Sequence, residues 1–154
     1  MTFGSVIGHL PEAAGVFRAA LEAVSGVAVR VLLTVGRGID PGDLGPVPRN
    51  ARVEQEVPQA DVFAQAALVV CHSGSGTTFG ALAAGVPLVI CPLFADQPIN
   101  GRLVETAGCG LVVRGRHLAA GELRGLGPAD VAPLRDAIER LLGESAHRAA
   151  AHST

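Results

Sequence analysis

His72-Ser73-Gly74-Ser75-Gly76-Thr77-Thr78 joins a short apolar run, Ala67–Cys71, to a helix-forming stretch, and its residue types suit the binding of an anion. A helix that begins near Gly76 turns its first free N–H groups into this segment. Such ends carry roughly half a positive charge and bind phosphate through backbone donors. The glycines let the backbone approach an anion closely, and Ser75, Thr77 and Thr78 add hydroxyl donors. A diphosphate fits this chemistry. The same Ser and Thr would also serve as a helix cap, and the two roles are compatible. Further along, Asp96-Gln97 sets a carboxylate beside an amide, a pairing that suits a polyol because each can fix a hydroxyl. Asp96 would equally cap a helix over Pro98–Ala107.

The elements that must position these residues alternate. Thr2-Phe3 look like the stump of a first strand, and Pro11–Val24 reads as a helix with Pro11 in its first turn. The β-branched run Val27–Val35 predicts a strand buried on both faces. Asp40–Pro48 is a Pro/Gly loop, followed by a short strand at Ala51–Val53, a helix over Ala60–Ala66 and the strand Ala67–Cys71. Helix Thr77–Ala84, strand Leu88–Cys91, helix Pro98–Ala107 and strand Leu111–Val113 continue the series. Gly115–Gly127 is loop-rich, and Pro128-Ala129-Asp130 opens a last amphipathic helix through Leu142. Alternation of this kind predicts an α/β fold, a Rossmann-like parallel sheet with helices on both faces. Ligands of such sheets bind beyond the carboxyl ends of the strands. Ser5, Gly36, Pro58, His72 and Asp96 all follow predicted strands and therefore converge on one edge, which favours a nucleotide-type ligand.

Composition narrows the partners. At 154 residues the chain suits one domain with a single core. Its formal net charge of −2 offers no electrostatic footprint for nucleic acid or an anionic membrane. Apolar residues make up 49% of the chain and mean hydropathy is +0.40, yet Ala81–Ala95, the longest apolar candidate, is interrupted by Gly85, Pro87 and Pro92. That is too short to span a bilayer. No basic region precedes an apolar core at the N-terminus, so no signal peptide is read. All 12 basic residues are Arg, a bias assigned to codon usage. Cys71, Cys91 and Cys109 are odd in number and widely spaced, which argues for reduced core cysteines in a cytoplasmic protein rather than disulfides or a zinc site.

The ordered set His72, Gly85-Val86-Pro87, Pro92 and Asp96-Gln97 resembles the donor-sugar signature of two-domain (GT-B) UDP/TDP-sugar glycosyltransferases, and the bacterial natural-product enzymes look closer than the plant ones. The resemblance covers about Thr2–Val113. It implies that His72 donates a hydrogen bond to the donor diphosphate. Gly74, Ser75, Gly76 and Thr77 would supply further diphosphate contacts, and Ser5 matches a second phosphate loop. Asp96 and Gln97 would hold the donor sugar. Val57-Pro58-Gln59 falls in the base-binding segment, with Glu56 where plant members begin it with Trp. Gly80 stands where many UDP-sugar enzymes place a Glu that binds both ribose hydroxyls, a departure that tilts the donor toward a TDP-sugar. Ser73 replaces a Gly common in the bacterial turn. Such enzymes need no metal or other cofactor, and no carboxylate cluster to hold one is found here.

The resemblance further implies an inverting transfer to a small-molecule acceptor bound by an N-terminal domain absent from this chain. Residues 1–154 are then expected to be the donor-binding half, inactive alone. A stand-alone nucleotide-binding partner subunit and a nucleotide-sugar epimerase of the same architecture are the competing readings, although no His and carboxylate set for proton transfer at a sugar can be placed. His9 could approach the cleft from the Gly4–Pro11 loop.

Overall fold

The computed structural model describes residues 1–4, 7–9, 13–117, 124–144 and 150–151. Strand β1 (Val31–Thr34) pairs in parallel with β2 (Ala51–Glu54), and β3 (Val69–Cys71), β4 (Leu88–Ile90) and β5 (Gly110–Val112) form a second parallel group in that order. The two groups meet at a single residue. Thr2 bridges in parallel to both Thr34 and Cys71, so the expected first-strand stump lies at the centre of the sheet. Its N–H donates to the Val70 carbonyl at 2.9 Å, while the Thr34 N–H donates to the Met1 carbonyl at 3.0 Å.

Both faces of the sheet are covered, as the unbroken apolar runs predicted. Val70 and Val89 join Leu33, helix α1 (Ala13–Val24) and helix α5 (Val131–Gly143) in one buried cluster. The alternate residues Val69, Cys71, Leu88 and Ile90 join Phe63, Ala81 and Val104, from helices α2 (Gln59–Phe63), α3 (Ser75–Ala83) and α4 (Gln97–Thr106), in the other. Side chains on a strand alternate between faces, so this partition fixes which helices lie on which side. Phe3 meets Phe17 of α1 edge to face, with ring centroids 5.9 Å apart.

Several expected boundaries shift, each for a local reason. The strand predicted over Val27–Val35 is confined to Val31–Thr34. Ahead of it the Asn50 amide nitrogen donates to the carbonyls of Val24, Val27 and Val29, so a side chain satisfies this backbone in place of a ladder. The Asp40–Pro48 loop contains a 3₁₀ turn, Pro41–Leu44, in which Asp40 accepts from the Gly42 N–H at 2.9 Å. Another 3₁₀ turn, Pro128–Asp130, precedes α5, and Asp130 accepts from the Gly127 N–H at 2.9 Å. The Gly115–Gly127 loop holds an antiparallel ribbon of β6 (Arg116–His117) and β7 (Arg124–Gly125). Helix α2 ends at Phe63, short of the expected Ala66. Pro11, at the expected start of α1, lies outside the described residues.

Candidate donor-binding cleft

The carboxyl ends of the strands open onto a cleft of about 740 Å³, walled by Thr2–Gly4, Gly36, Gln55–Gln59, His72, Gly74–Thr77, Phe94 and Gln97. Its size suits a nucleotide-scale ligand. The walls come from both halves of the sheet: the β2–α2 segment supplies Gln55–Gln59, and the β3–α3 turn supplies His72–Thr77. Of the residues expected here, His72, Gly74, Ser75, Gly76, Thr77, Val57, Pro58, Gln59 and Gln97 line the cleft. Asp96 is exposed and is not among the lining residues. Ser5 lies outside the described residues, though its neighbour Gly4 lines the wall.

Helix α3 begins one residue before the expected Gly76, with Gly74 at its N-cap, and no side chain caps it. The cap alternative for Ser75 and Thr77 is therefore not realised. The N–H groups of the first turn have no partner within the helix, since its first ladder bonds start further along. They face a cleft in which an anion would take those hydrogen bonds and the helix dipole would favour its charge.

His72 is half-buried at the end of β3, and its imidazole is bracketed by two glycines. A Cβ on Gly4 would lie 2.8 Å from His72 Nε2, and one on Gly74 would lie 2.5 Å from the same atom. Gly4 also has a φ of +83°, which favours glycine. The sequence resemblance implies a phosphate contact for Gly74. Its closer approach to the imidazole was not legible without the fold. Burial lowers the His72 pKa below its ordinary 6.5, while the Thr2 backbone and the Asp96 carboxylate act in the opposite direction. Nδ1 is buried without a hydrogen-bond partner.

Other side chains are committed within the protein. Thr77 Oγ1 donates to Gln59 Oε1 at 3.2 Å, so its proton is engaged and its backbone N–H is the group free to meet a phosphate. Gln97 is only 4% exposed. Its Oε1 accepts from the N–H groups of Leu93 and Phe94 at 2.9 and 3.2 Å, which leaves the amide NH₂ as the part able to meet a ligand. Asp96 occupies the N-cap position of α4 without capping it; its Oδ2 accepts from Asn100 Nδ2 at 2.9 Å. Glu56, also on the cleft wall, pairs with Arg37 at 2.9 Å. Burial pushes the Cys71 thiol up to about 11, so it does not act as a nucleophile near neutral pH. Gly80 is not in the cleft wall, and a Cβ there would come 2.8 Å from Phe63 Cε2. Among the described residues, no group of three or more His, Cys, Asp or Glu side chains gathers as a metal site would. Nor, among them, is any helix long and apolar enough to cross a membrane.

Residues 18–154 match the sequence profile of the erythromycin biosynthesis protein CIII-like C-terminal domain. The chain belongs to this family. Among its relatives, demethyllactenocin mycarosyltransferase of Streptomyces fradiae is 33% identical over 146 residues, covering 94% of this chain and 31% of that protein. The elloramycin glycosyltransferase ElmGT of Streptomyces olivaceus is 46% identical over 90 residues, covering 58% of this chain and 23% of that one. Of solved structures, CalG4, the calicheamicin glycosyltransferase, superposes with a TM-score of 0.77 at 32% identity over 99% of this chain and 35% of its own. The spinosyn rhamnosyltransferase SpnG complexed with thymidine diphosphate gives 0.78 at 25% identity, covering 98% of this chain and 38% of its own. The expected α/β fold with a parallel sheet is thus the observed one, its solved neighbours are glycosyltransferases, and the chain spans 23–38% of the length of these relatives.

Proposed function

We propose that this CIII-like chain is the donor-binding half of an inverting glycosyltransferase that moves a sugar from a TDP- or UDP-sugar to a small-molecule acceptor in natural-product biosynthesis. The observation that carries the reading is the coincidence, at one end of one cleft, of an uncapped α3 N-terminus and the glycine-bracketed His72 Nε2. The naming of relatives as antibiotic glycosyltransferases supports the reaction class. A thymidine diphosphate complex of SpnG, and one of the glycosyltransferase VinC with dTDP, support the nucleotide.

In this reading an acceptor hydroxyl gives its proton to a base in another domain and attacks the anomeric carbon. A new acceptor O–C bond forms as the bond from that carbon to the diphosphate oxygen breaks, and the electron pair leaves with the nucleoside diphosphate. Charge grows on the phosphates. The His72 imidazole and the α3 N–H groups would stabilise that charge as preorganised donors, which lowers the barrier without reorganisation. Asp96 and the Gln97 amide would hold sugar hydroxyls, Val57-Pro58-Gln59 the base, and Ser5 a phosphate. No metal is required. Buried Cys71 and Cys91 thiols suit a reducing, cytoplasmic setting.

Because domain closure would supply part of the site, the chain alone should bind nucleotide weakly, with Kd on the order of 10 µM to 1 mM. Calorimetric titration of TDP and UDP into this chain and its His72→Ala variant tests the reading. A loss of about tenfold or more in the variant is expected, the scale of a lost charge-assisted hydrogen bond. Equal binding by both proteins, or none at millimolar nucleotide with the remaining domain attached, would overturn it.

A further inference from the structure

Asn100 did not stand out in the sequence. It lies on α4, one turn beyond Asp96, and its Nδ2 donates in two directions: to Asp96 Oδ2 at 2.9 Å and to the Ser73 carbonyl at 3.3 Å. One amide therefore links the carboxylate at the start of α4 to the backbone of the turn that carries His72. The chain on both sides of this link is strained. Ser73 has a φ of +72° and Ala95, immediately before Asp96, a φ of +56°, each in the left-handed region that residues other than glycine avoid. Such conformations persist where the surroundings over-determine them, and they gather at ligand clamps. The positive φ at Ser73 accompanies a carbonyl presented to α4, and the one at Ala95 brings Asp96 to the helix start. Asp96 also acts electrostatically on His72, in the direction that favours the charged ring.

We propose that Asn100 is a positioning residue that ties the Asp96 carboxylate to the His72–Ser73 turn, so that sugar and diphosphate contacts are set as one unit. The proposal rests on the donor-binding reading given above. Left to itself, an exposed carboxylate at a helix start samples several rotamers, and a sugar hydroxyl would have to select one. The Asn100 bridge makes that selection in advance, and refers it to the element that holds the phosphates. Asn100 itself is not among the residues that wall the cleft. An ordinary helix-stabilising contact would need only the bond to Asp96; the second bond, to a carbonyl of another element, fixes the register between them.

Calorimetry with TDP and TDP-glucose on wild type, Asn100→Leu, Asn100→Gln and Asp96→Ala separates the roles. The quantity read is the gain in affinity from the attached sugar. In Asn100→Leu this gain should fall by about fivefold, to the level of Asp96→Ala, while TDP itself binds within about twofold of wild type. The Asp96→Ala/Asn100→Leu double variant should lose no more, because both single changes break one unit. Asn100→Gln, which keeps a donor, should recover part of the gain. Should Asn100→Leu not fold, as judged by circular dichroism, Asn100→Gln and the NMR titration of His72 in Asn100→Ser decide: the His72 midpoint should drop in the Ser variant and in Asp96→Ala alike. An unchanged sugar gain in folded variants, or a wild-type chain that binds the two ligands equally, would overturn the tether alone. Absence of TDP binding by wild type with the remaining domain attached would overturn the donor reading and the tether with it.

Discussion

Thr77 Oγ1 donates a 3.2 Å hydrogen bond to Gln59 Oε1, joining the first turn of α3 to the first residue of α2. The residues belong to segments assigned to different parts of a nucleotide, Gln59 to the base and Thr77 to the diphosphate. Their contact makes the two subsites mechanically continuous. Thr77→Val removes the donor at nearly constant volume and leaves the Gln59 oxygen without it. TDP affinity should fall by roughly threefold to tenfold, the scale of one hydrogen bond. Pyrophosphate affinity should fall less, because the base wall is what shifts. Competition titrations of both ligands check this, and equal losses would place the effect in the phosphate turn alone.

Gly74 is predicted to be nearly as important as His72 for nucleotide binding, without contributing a side chain. A methyl at Gly74 would lie 2.5 Å from His72 Nε2 and must displace the imidazole. Gly74→Ala should therefore cost about tenfold in TDP affinity, and the Gly74→Ala/His72→Ala double variant little beyond His72→Ala. Additive losses measured by calorimetry would mean that Gly74 acts on the phosphate backbone directly.

Ser73 is the position where the sequence departs from the glycine usual in this turn, and the departure is unfavourable. Its φ is +72°, its side chain is 0% exposed and its hydroxyl has no partner. Ser73→Gly relieves both faults and should raise stability by about 1 kcal/mol, offset in part by the freedom glycine adds to the unfolded chain. Ser73→Ala relieves only the second and should gain less. Thermal melts of the pair distinguish the two contributions.

Restoring an acidic residue at position 80 should not by itself favour UDP. A Cβ there would sit 2.8 Å from the Phe63 ring, which is itself buried between α2 and α3. Gly80→Glu should lower stability by about 1–3 kcal/mol through overpacking. Phe63→Leu in the same chain should recover part of that loss. Melting curves and the TDP/UDP affinity ratio of both variants test whether space or chemistry governs this position.

The depressed pKa of His72 has a sign that can be checked. Below pH 6.5 the unfolded chain gains a proton on this ring while the folded chain, where burial disfavours the charge, does not. The unfolded state then binds more protons, so this contribution to stability falls as pH drops from the unfolded value toward the folded one. Above pH 6.5 both states are neutral there and the contribution is level. Denaturant unfolding of wild type and His72→Gln between pH 5 and 8 should give a steeper acid-side fall in wild type, and NMR should place the His72 midpoint below 6.5.

The order of strands and helices and the His72–Thr77 turn were legible in the sequence because period and glycine content are local signals. What escaped is non-local. Asn50 replaces a strand with a web of side-chain bonds to carbonyls on another segment, and no pattern in Val27–Val35 announces it. Gln97 reads as a free amide, yet its oxygen is spent on the Leu93–Phe94 turn. Asn100 is hidden for the same reason, since its second partner, Ser73, lies on a different element. Gly4 looked like part of a loop, and its closeness to His72 depends on the sheet bringing Thr2 beside Cys71.

That junction bears on how the molecule would respond to a ligand. Among the described residues, the β1–β2 pair and the β3–β4–β5 trio share no strand-to-strand ladder; the Met1–Thr2 backbone is hydrogen-bonded into the seam between them, Met1 to Leu32 and Thr34 and Thr2 to Val70. The Gln55–Gln59 wall of the cleft hangs from one side of the seam and the His72–Thr77 wall from the other. A molecule spanning the cleft would thus suture the sheet from above, with Thr2 as the stitch below. Hydrogen exchange should register this as slowed amides at Thr2 and Thr34, with Val89 in β4 scarcely altered.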